Sequence, residues 1–360
     1  MNGVLLALAL ALQPAPQPLD IPAMVPPPAP DQVMAIPDRL REEFRREVLD
    51  ATRFPEARLE KLVAFVFNPS KLGVQYKADA TQTVAESFDS RTVNCLSSTI
   101  LIVALAREAG LQAEGQEVQR ILSWGSVGET VVQSMHANAI VKVGDKRKFV
   151  VDVDSSDVLA TDALNPVSDE QLLASFYGNR AMELMLAGRL VDAKAWLDSA
   201  LRHAPDDAIL WNNAGVLSRR MGDMATAEKY FLKAVAKNPR QMSVVSNLVA
   251  LYRGRGDDAQ STLWQARADK ILRNDPYYQF TLGQQLEQSG NFPEAVRQYR
   301  RAVKLNRNEH RFHFGLARVY YKLGEFRGAG RELALAEELS QGPVRDRYQD
   351  KLAALKKIAR

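Results

Sequence analysis

The sequence predicts two domains, an α+β domain followed by an all-α solenoid of paired helices, and three observations predict this fold class. The chain has 360 residues, more than one domain of ordinary size contains. A helical stretch that begins at Cys95 gives way to β-rich runs between residues 136 and 154. From about residue 174 onward, glycine recurs at intervals of 34 residues, which is typical of a helical repeat.

Charge and motif content exclude several classes of function. Lysine and arginine total 47 against 43 acidic residues, and a net charge of +4 is too small to indicate nucleic-acid binding. The sequence has no GxxxxGK or HExxH motif, and no GxGxxG follows a predicted strand, so we expect no cofactor and no metal. His310 and His313 are spaced like half of a metal site. No cysteine lies near them in the sequence and we assign no carboxylate as a third ligand, so we expect them on the surface.

The N-terminal segment has the features of an export signal and a linker. The apolar run VLLALALAL, residues 4–12, is typical of a signal peptide and too short to span a bilayer. We therefore assign residues 1–13 to a signal peptide and expect a periplasmic or secreted protein. The alternative is a cytoplasmic protein with a frayed apolar N-terminus. Because residues 14–30 contain eight prolines, residues 14–34 are predicted to form an extended Pro-rich linker.

The next elements lead to the single cysteine of the chain. Helices are predicted near residues 37–51 and 55–67, followed by a polar, irregular stretch. A further helix begins at Cys95, with Asn94 as its N-cap, apolar residues along one face and Gly110 as its stop. A thiol in the first turn of a helix lies at the positive end of the helix dipole, which lowers the thiol pKa. Cys95 is therefore either a reactive thiol or a small buried apolar residue.

A thiol enzyme also needs an imidazole that shares the proton and a group that orients the imidazole. His136 is the one histidine in this half of the chain, and it begins a β-rich run. The next β-rich run contains Asp152 and Asp154, and residues 144–147 join the two runs as a hairpin. If paired residues have numbers that add to an even total, both carboxylates lie on the same face as His136. An odd total would place them on the opposite face and remove the triad.

Three stretches carry a resemblance to a known family: SRTVNCLSSTILIVALAREAGLQAEGQEV, which starts at residue 90, MHANAIVKV and FVVDVD. Together they resemble the transglutaminase-like superfamily of papain-type cysteine enzymes, in which a cysteine helix is followed by histidine and aspartate on neighbouring strands. The resemblance spans roughly residues 36–160. It implies a transglutaminase-like α+β domain, which we place at residues 35–165.

The resemblance also implies a role for each residue of the candidate site. Cys95 is the nucleophile, His136 the general base and acid, and Asp152 the carboxylate that orients the imidazole. Asp152 is preferred to Asp154 because the family's acidic residue directly follows the apolar strand. The implied activity is that of a Cys-His-Asp hydrolase or acyltransferase, which acts on protein or peptide amide bonds through a thioester. Hydrolysis and amine transfer use the same residues, so the sequence leaves that choice open.

The second half of the chain repeats with a clear register. The repeating glycines are followed five positions later by a small residue and twelve positions later by alanine, and they are Gly188, Gly222, Gly256, Gly290 and Gly324. Glycine permits a turn and the small residues let two helices approach closely. The pattern resembles the tetratricopeptide repeat, and a fusion of this kind is found in bacterial proteins. We assign five repeats to residues 174–341 and a capping helix to residues 342–360.

One repeat is less regular than the others. In the third repeat, Ser261 takes the place of the alanine, and the closing proline, Pro276, falls late.

Tetratricopeptide arrays bind extended peptides on the face formed by the first helix of each repeat. By the family pattern, the inward polar positions here are mostly cationic: Arg219, Arg220, Arg253, Gln284, Arg318 and Lys322. These residues suit a protein or peptide partner that carries carboxylates. The alternative is a solvated charged face with no partner.

Two hypotheses for function follow. The first is a thiol enzyme whose repeats recruit the substrate or a partner. The second is a non-catalytic repeat scaffold for protein–protein interaction, in which the transglutaminase-like domain is an inactive docking module.

Overall fold

The computed structural model describes residues 26–127, 130–144, 147–153, 165–340 and 342–358, with the backbone alone described for 117–127, 130–136, 343 and 358. The described residues form two compact units. Of the described residues, unit one takes in 26–120, 136–144, 147–153 and 165–223, and unit two takes in 121–127, 130–135, 224–340 and 342–358. Within these described residues, no helix has the length and apolarity needed to cross a membrane.

Unit one begins with helices that pack into its core. They are α1 (Pro30–Val33), α2 (Asp38–Phe44), a π-helical turn (Arg45–Leu49) that continues α2, and α3 (Pro55–Phe67). Helices near residues 37–51 and 55–67 are thus confirmed. The last residues of the predicted linker are part of the fold, because Val33 is buried and the hydroxyl of Tyr177 donates to the carbonyl of Pro28 at 2.7 Å. The predicted signal peptide and residues 14–25 lie outside the described residues.

The stretch predicted to be irregular contains three short elements, namely β1 (Gln75–Tyr76), α4 (Val84–Ser90) and β2 (Thr92–Val93), with β1 parallel to β2. A capping box at its N-terminus explains why α4 begins at Val84. The Glu86 N–H donates to the Thr83 hydroxyl at 3.1 Å, and the Thr83 N–H donates to the Glu86 carboxylate at 2.8 Å.

Helix α5 (Cys95–Glu108) is the central element of unit one. Its predicted start is confirmed by the Asn94 cap, and Gly110 ends the helical run with a φ of +74°. Every residue from Leu96 to Ala106 is buried, whereas the sequence analysis expects one apolar face. A helix that is buried on all sides is a core helix. Residues of α3, α4 and α6 (Asp169–Leu186) surround it.

The sheet of the N-terminal region has four strands in the order β5-β4-β3-β6. They are β3 (Gln112–Val127), β4 (Thr130–Val143), β5 (Arg147–Val151) and β6 (Pro166–Val167). The predicted β-rich runs correspond to β4 and β5, which are antiparallel, and β6 is antiparallel to β3. Arg147, which the sequence analysis places in the connection, is the first residue of β5 and pairs with Val143.

The repeat region consists of helices separated by short turns. In unit one, α6 is followed by α7 (Leu190–His203) and α8 (Ala208–Arg220). Unit two contains α9 (Met224–Lys237), α10 (Met242–Gly254), α11 (Asp258–Arg273), α12 (Pro276–Gln288), α13 (Phe292–Leu305), α14 (His310–Lys322) and α15 (Phe326–Glu338). The repeating glycines all lie between helices with φ from +71° to +85°, a conformation that glycine adopts without strain. The 34-residue period is therefore a helix–turn–helix period.

The third repeat and the C-terminal end differ from the regular pattern. Helix α11 has 16 residues where α9 and α13 have 14, and Pro276 is the first residue of the following helix. After the last repeat, α16 (Gly342–Ile358) packs against α15, as the predicted capping helix does.

Candidate functional site

Cys95 is the first residue of α5, and its side chain is partly exposed. The side-chain oxygen of Asn94 accepts a hydrogen bond from the Ser97 N–H at 2.8 Å, which fixes the start of the helix. The thiol therefore lies in the first turn of a buried helix.

The chain segment that precedes α4 holds the start of α5 through buried hydrogen bonds. The Asn94 amide donates to the Thr81 hydroxyl at 2.7 Å, and both side chains are buried. The Ser97 hydroxyl donates to the Ala80 carbonyl at 2.8 Å and accepts from the Gln82 N–H at 2.7 Å. The first turn of α5 is thus fixed by residues that are 13 to 17 positions away in the sequence.

The first repeat helix holds the same segment. A Glu183 oxygen on α6 accepts a hydrogen bond from the Thr81 N–H at 3.3 Å, and the carboxylate also pairs with Arg180 at 3.0 Å. Burial raises the pKa of Glu183, and the hydrogen bonds from Thr81 and Arg180 offset this only in part. At the other end of α5, Arg107 donates to both oxygens of Asp169 at 2.7 and 2.8 Å. The C-terminal end of the cysteine helix is therefore bonded to α6 directly, and its start is linked to α6 through Thr81.

The register of β4 and β5 meets the condition that the sequence analysis sets for a triad. Ala139 pairs with Val151 and Ile140 with Val150, so the numbers in each pair add to an even total. His136 lies in β4, but its side chain and all of residue 154 lie outside what the structure describes. The triad of Cys95, His136 and Asp152 therefore stays a prediction.

The sequence analysis missed the residue that contacts Asp152. The Asn138 amide donates to an Asp152 oxygen at 3.3 Å, and Asn138 is buried. The side-chain oxygen of Asn138 accepts no hydrogen bond from the described part of the chain. A polar amide within the apolar run HANAIVKV is a sequence signal that could have identified this residue.

In unit two, a buried carboxylate joins two of the predicted partner-binding cations. Arg318 on α14 donates to both oxygens of Glu287 on α12 at 2.7 and 2.5 Å, and the Lys322 ammonium lies 3.3 Å from the same carboxylate. The Tyr299 hydroxyl donates to Glu287 at 2.9 Å. Burial alone would raise the pKa of Glu287, but the hydrogen bonds from Arg318, Tyr299 and Lys322 outweigh it and lower that pKa. These four residues form what we call the Glu287 cluster.

Glu287 was missed because the sequence analysis selected cations and amides. The repeat register contains the signal, since Glu287 lies 34 residues after Arg253 and so occupies the same inward position of its repeat.

The other predicted partner-binding residues differ in their surroundings. In unit one, Arg219 is half-buried, and Arg220 donates to the carbonyl of Met185 at 3.0 Å. In unit two, Arg253 is exposed and Gln284 is half-buried, one turn before Glu287 on α12.

The expectation that His310 and His313 lie on the surface is wrong. Both are buried, and in each ring Nδ1 lies within hydrogen-bond distance of a side chain that is distant in the sequence. In His313, Nδ1 lies 2.7 Å from the Glu332 carboxylate and Nε2 lies 2.9 Å from the Arg307 carbonyl oxygen. His310 Nδ1 lies 3.0 Å from the Tyr348 hydroxyl of α16. Among the described residues, no group of three or more potential ligands is arranged to hold a metal ion.

Comparisons with known proteins concern the repeats. No curated protein sequence matches the chain. A structure titled for the functional characterisation of Pseudomonas aeruginosa pilF has 18% identity and a TM-score of 0.28, covering 52% of this chain and 90% of the other. MamA from Desulfovibrio magneticus RS-1 has 17% identity and a TM-score of 0.27, covering 48% and 96%. YrrB, titled a TPR protein with an unusual peptide-binding site, has 20% identity and a TM-score of 0.26, covering 50% and 92%.

One protein family matches the chain, and it matches two stretches, one before and one after the irregular third repeat. This match gives no support to the transglutaminase-like resemblance of residues 36–160. Residues 179–241 and 280–343 match the tetratricopeptide repeat family, and the chain therefore carries a tetratricopeptide repeat solenoid.

Proposed function

We propose that the chain is a protein-interaction scaffold whose repeats hold a peptide or protein segment against their first helices. The Glu287 cluster carries this proposal. Its carboxylate side chain is 5% exposed, whereas the side chains of Arg318 and Lys322 are 41% and 43% exposed. Two cations share one buried carboxylate, so a net positive charge reaches the solvent between α12 and α14.

A carboxylate of a partner is the group that best complements this charge. Hydrogen bonds between a guanidinium and a carboxylate are stronger than those between neutral groups, and arginine makes them in pairs. Glu287 fixes the position of Arg318 before a partner arrives, which lowers the entropy lost on binding. Arg253 and Gln284 supply a further exposed cation and an amide on the first helices α10 and α12.

Reversal or removal of a positive charge on a first helix tests this proposal. Proteins captured by the full chain are compared with those captured by Arg253→Glu and by Lys322→Gln, and Lys270→Glu on the second helix α11 is the matched control. We expect the first-helix variants to lose acidic partners that the control keeps. An identical set of partners at identical levels in all four proteins would contradict the proposal.

A second candidate function is that of a transglutaminase-like thiol enzyme. The partly exposed thiol in the first turn of α5 and the even register of β4 and β5 support it. In this mechanism the Cys95 thiolate attacks an amide carbonyl, and His136 protonates the departing amine. The acyl group then passes from the thioester to water or to another amine.

The pH dependence of alkylation at Cys95 separates the enzyme from an inactive docking domain. A reaction that is fast near pH 6 in the full chain and slower in His136→Ala and Asp152→Ala supports a thiolate–imidazolium pair. Ordinary thiol titration in all three proteins would leave the scaffold as the sole function.

We also propose that the protein is exported and that residues 1–13 are removed. Sequencing the N-terminus of the chain from separated cell fractions tests this. A chain that keeps Met1 and remains in the cytoplasm would contradict export.

A further inference from the structure

A groove lies between the last repeat and the helix that follows it. Its volume is about 210 Å³, and it is lined by residues of α15 and α16. The apolar lining consists of Phe326, Gly330, Ala334, Leu352 and Leu355. The rest of the lining is cationic, and none of the lining residues is acidic. We call this the α15–α16 groove.

The preceding repeat shows why the groove is open. Between α13 and α14, Val296 and Tyr320 belong to one apolar cluster, and Arg300 donates to the Tyr320 hydroxyl at 2.7 Å. These three side chains fill the space between the two helices. At the positions 34 residues later, the sequence has only small residues: Gly330, Ala334 and Ala354. The α15–α16 groove is therefore the same interface with its filling side chains removed.

Packing within the chain does not require the glycine. A Cβ atom added to Gly330 would meet only the Leu355 Cδ2 atom at 3.7 Å, an ordinary van der Waals distance. Glycine inside a helix is less favourable than alanine because it loses more backbone entropy. A Cβ atom therefore fits at this position, and a side chain that extends from it would narrow the groove.

Three cations line the groove. Arg327 and Arg331 lie one turn apart on α15, and Lys356 lies on α16. All three are exposed, and within the described residues none of them is in an ion pair. Their positive charge is therefore available to a molecule that enters the groove.

We propose that the α15–α16 groove docks an acidic amphipathic helix of a partner protein. The volume is below the roughly 300–1,000 Å³ of typical small-molecule pockets, so it suits apolar side chains of a peptide. An amphipathic helix inserts such side chains from one face, and its acidic residues reach the cations beside the groove. This surface involves a second helix and the capping helix, so it is separate from the first-helix face proposed above.

A pair of labelled peptides tests the proposal on the full chain. One peptide has leucine at helical spacing and glutamate elsewhere, and the other has lysine in place of each glutamate. We expect the glutamate peptide to bind and the lysine peptide not to bind. Gly330→Val, which restores the residue type of the preceding repeat, should weaken binding by about tenfold or more, as should Arg327→Glu. Added salt should weaken binding as well.

Gly254→Val is the matched control, because Gly254 ends α10 and a Cβ atom there meets nothing within 4 Å. Equal affinity in Gly330→Val and Gly254→Val, or no binding of the glutamate peptide to the unmodified chain, would overturn the proposal. So would a dimer of the unliganded chain that Gly330→Val dissociates, since the occupant would then be a second copy. Binding to anionic vesicles in place of the peptide would assign the groove to a membrane surface.

Discussion

Unit one and unit two are stabilised in different ways. In unit one, α5 packs against α4, which is close to it in the sequence, and against α3 and α6, which are further away. Helix α6 is also bonded to the C-terminal end of α5 and to the segment that holds its start. In unit two, the main contacts join consecutive helices from α9 to α16, apart from α12 and α14, which also meet. The stability of a repeat helix thus depends mainly on the helices next to it in the sequence, whereas the stability of the cysteine helix depends on helices from several parts of unit one.

The two units also satisfy their buried polar groups differently. Around Cys95, hydrogen bonds join the neutral groups of Asn94, Thr81 and Ser97, and the Glu183 carboxylate is the titratable group that Thr81 contacts. In unit two, charged or titratable groups are buried beside neutral ones such as Asn247, as in the Glu287 cluster and in the pair of His313 with Glu332. The stability of unit two should therefore respond to pH more than the start of α5 does.

The largest expected effect comes from a cavity in the core of unit one. Leu101→Ala removes a fully buried side chain of α5 and should lower the free energy of unfolding by about 2–5 kcal/mol. Because α5 packs against α3, α4 and α6, hydrogen exchange should rise in all three helices. Leu333→Ala is the matched variant in unit two, and its effect should stay within α14, α15 and α16. Equally local effects for both variants would contradict the comparison.

The next effect comes from the Glu287 cluster. Glu287→Gln leaves Arg318 without a buried counter-ion and should cost about 1–3 kcal/mol. Since the folded pKa of Glu287 is lowered, its stabilisation is present above the unfolded value near 4.5 and is lost as the pH falls through the folded value. Denaturant unfolding at neutral and acidic pH measures this. If the difference in unfolding free energy between the unmodified chain and Glu287→Gln does not shrink in acid, the ion pair is not its source.

A smaller effect is expected at the start of the cysteine helix. Asn94→Ala removes both the cap of α5 and the hydrogen bond to Thr81, and should cost about 1 kcal/mol. Hydrogen exchange at the amides of the first turn should increase, and the rate of Cys95 alkylation should change with it. Asn94→Asp, which can still accept the hydrogen bond from Ser97, is the control and should restore most of the protection.

The smallest effect is a pH dependence in the last repeat. The hydrogen bonds of His313 to Glu332 and to the Arg307 carbonyl oxygen raise the histidine pKa above 6.5, although burial opposes them. The stabilisation is therefore complete below the unfolded pKa and is lost as the pH rises through the folded pKa. His313→Gln should be less stable than the unmodified chain at pH 6 by under about 1 kcal/mol, and the gap should narrow at pH 8. A stability difference between the two proteins that grows as the pH rises would contradict a raised pKa for His313.

Local patterns made much of the fold predictable. The glycine period predicts the repeat turns, the Asn94 cap predicts the start of α5, and the run from 136 to 143 lies within β4, because each depends on residues close in sequence. Helix α4 was missed although its capping box, Thr83 to Glu86, was present in the sequence.

Contacts between distant residues were not predictable in this way. His310 and His313 are buried by Tyr348 and Glu332, which lie 38 and 19 residues further along the chain. Glu287 lies 31 residues before Arg318 and reduces the free charge of a residue that the sequence analysis treats as open to a partner. Local residue types do not show which opposite charges the fold brings together.

Photo-crosslinking from defined positions of the full chain tests the scaffold proposal most directly. A photoreactive residue is placed at Gln284 on the first helix α12, and at Leu263 on the second helix α11, whose side chain is 61% exposed. The account predicts that proteins are crosslinked from position 284 and not from position 263, and that Arg253→Glu reduces the yield. Equal yields from both positions, or a yield that Arg253→Glu leaves unchanged, would contradict binding on the first-helix face.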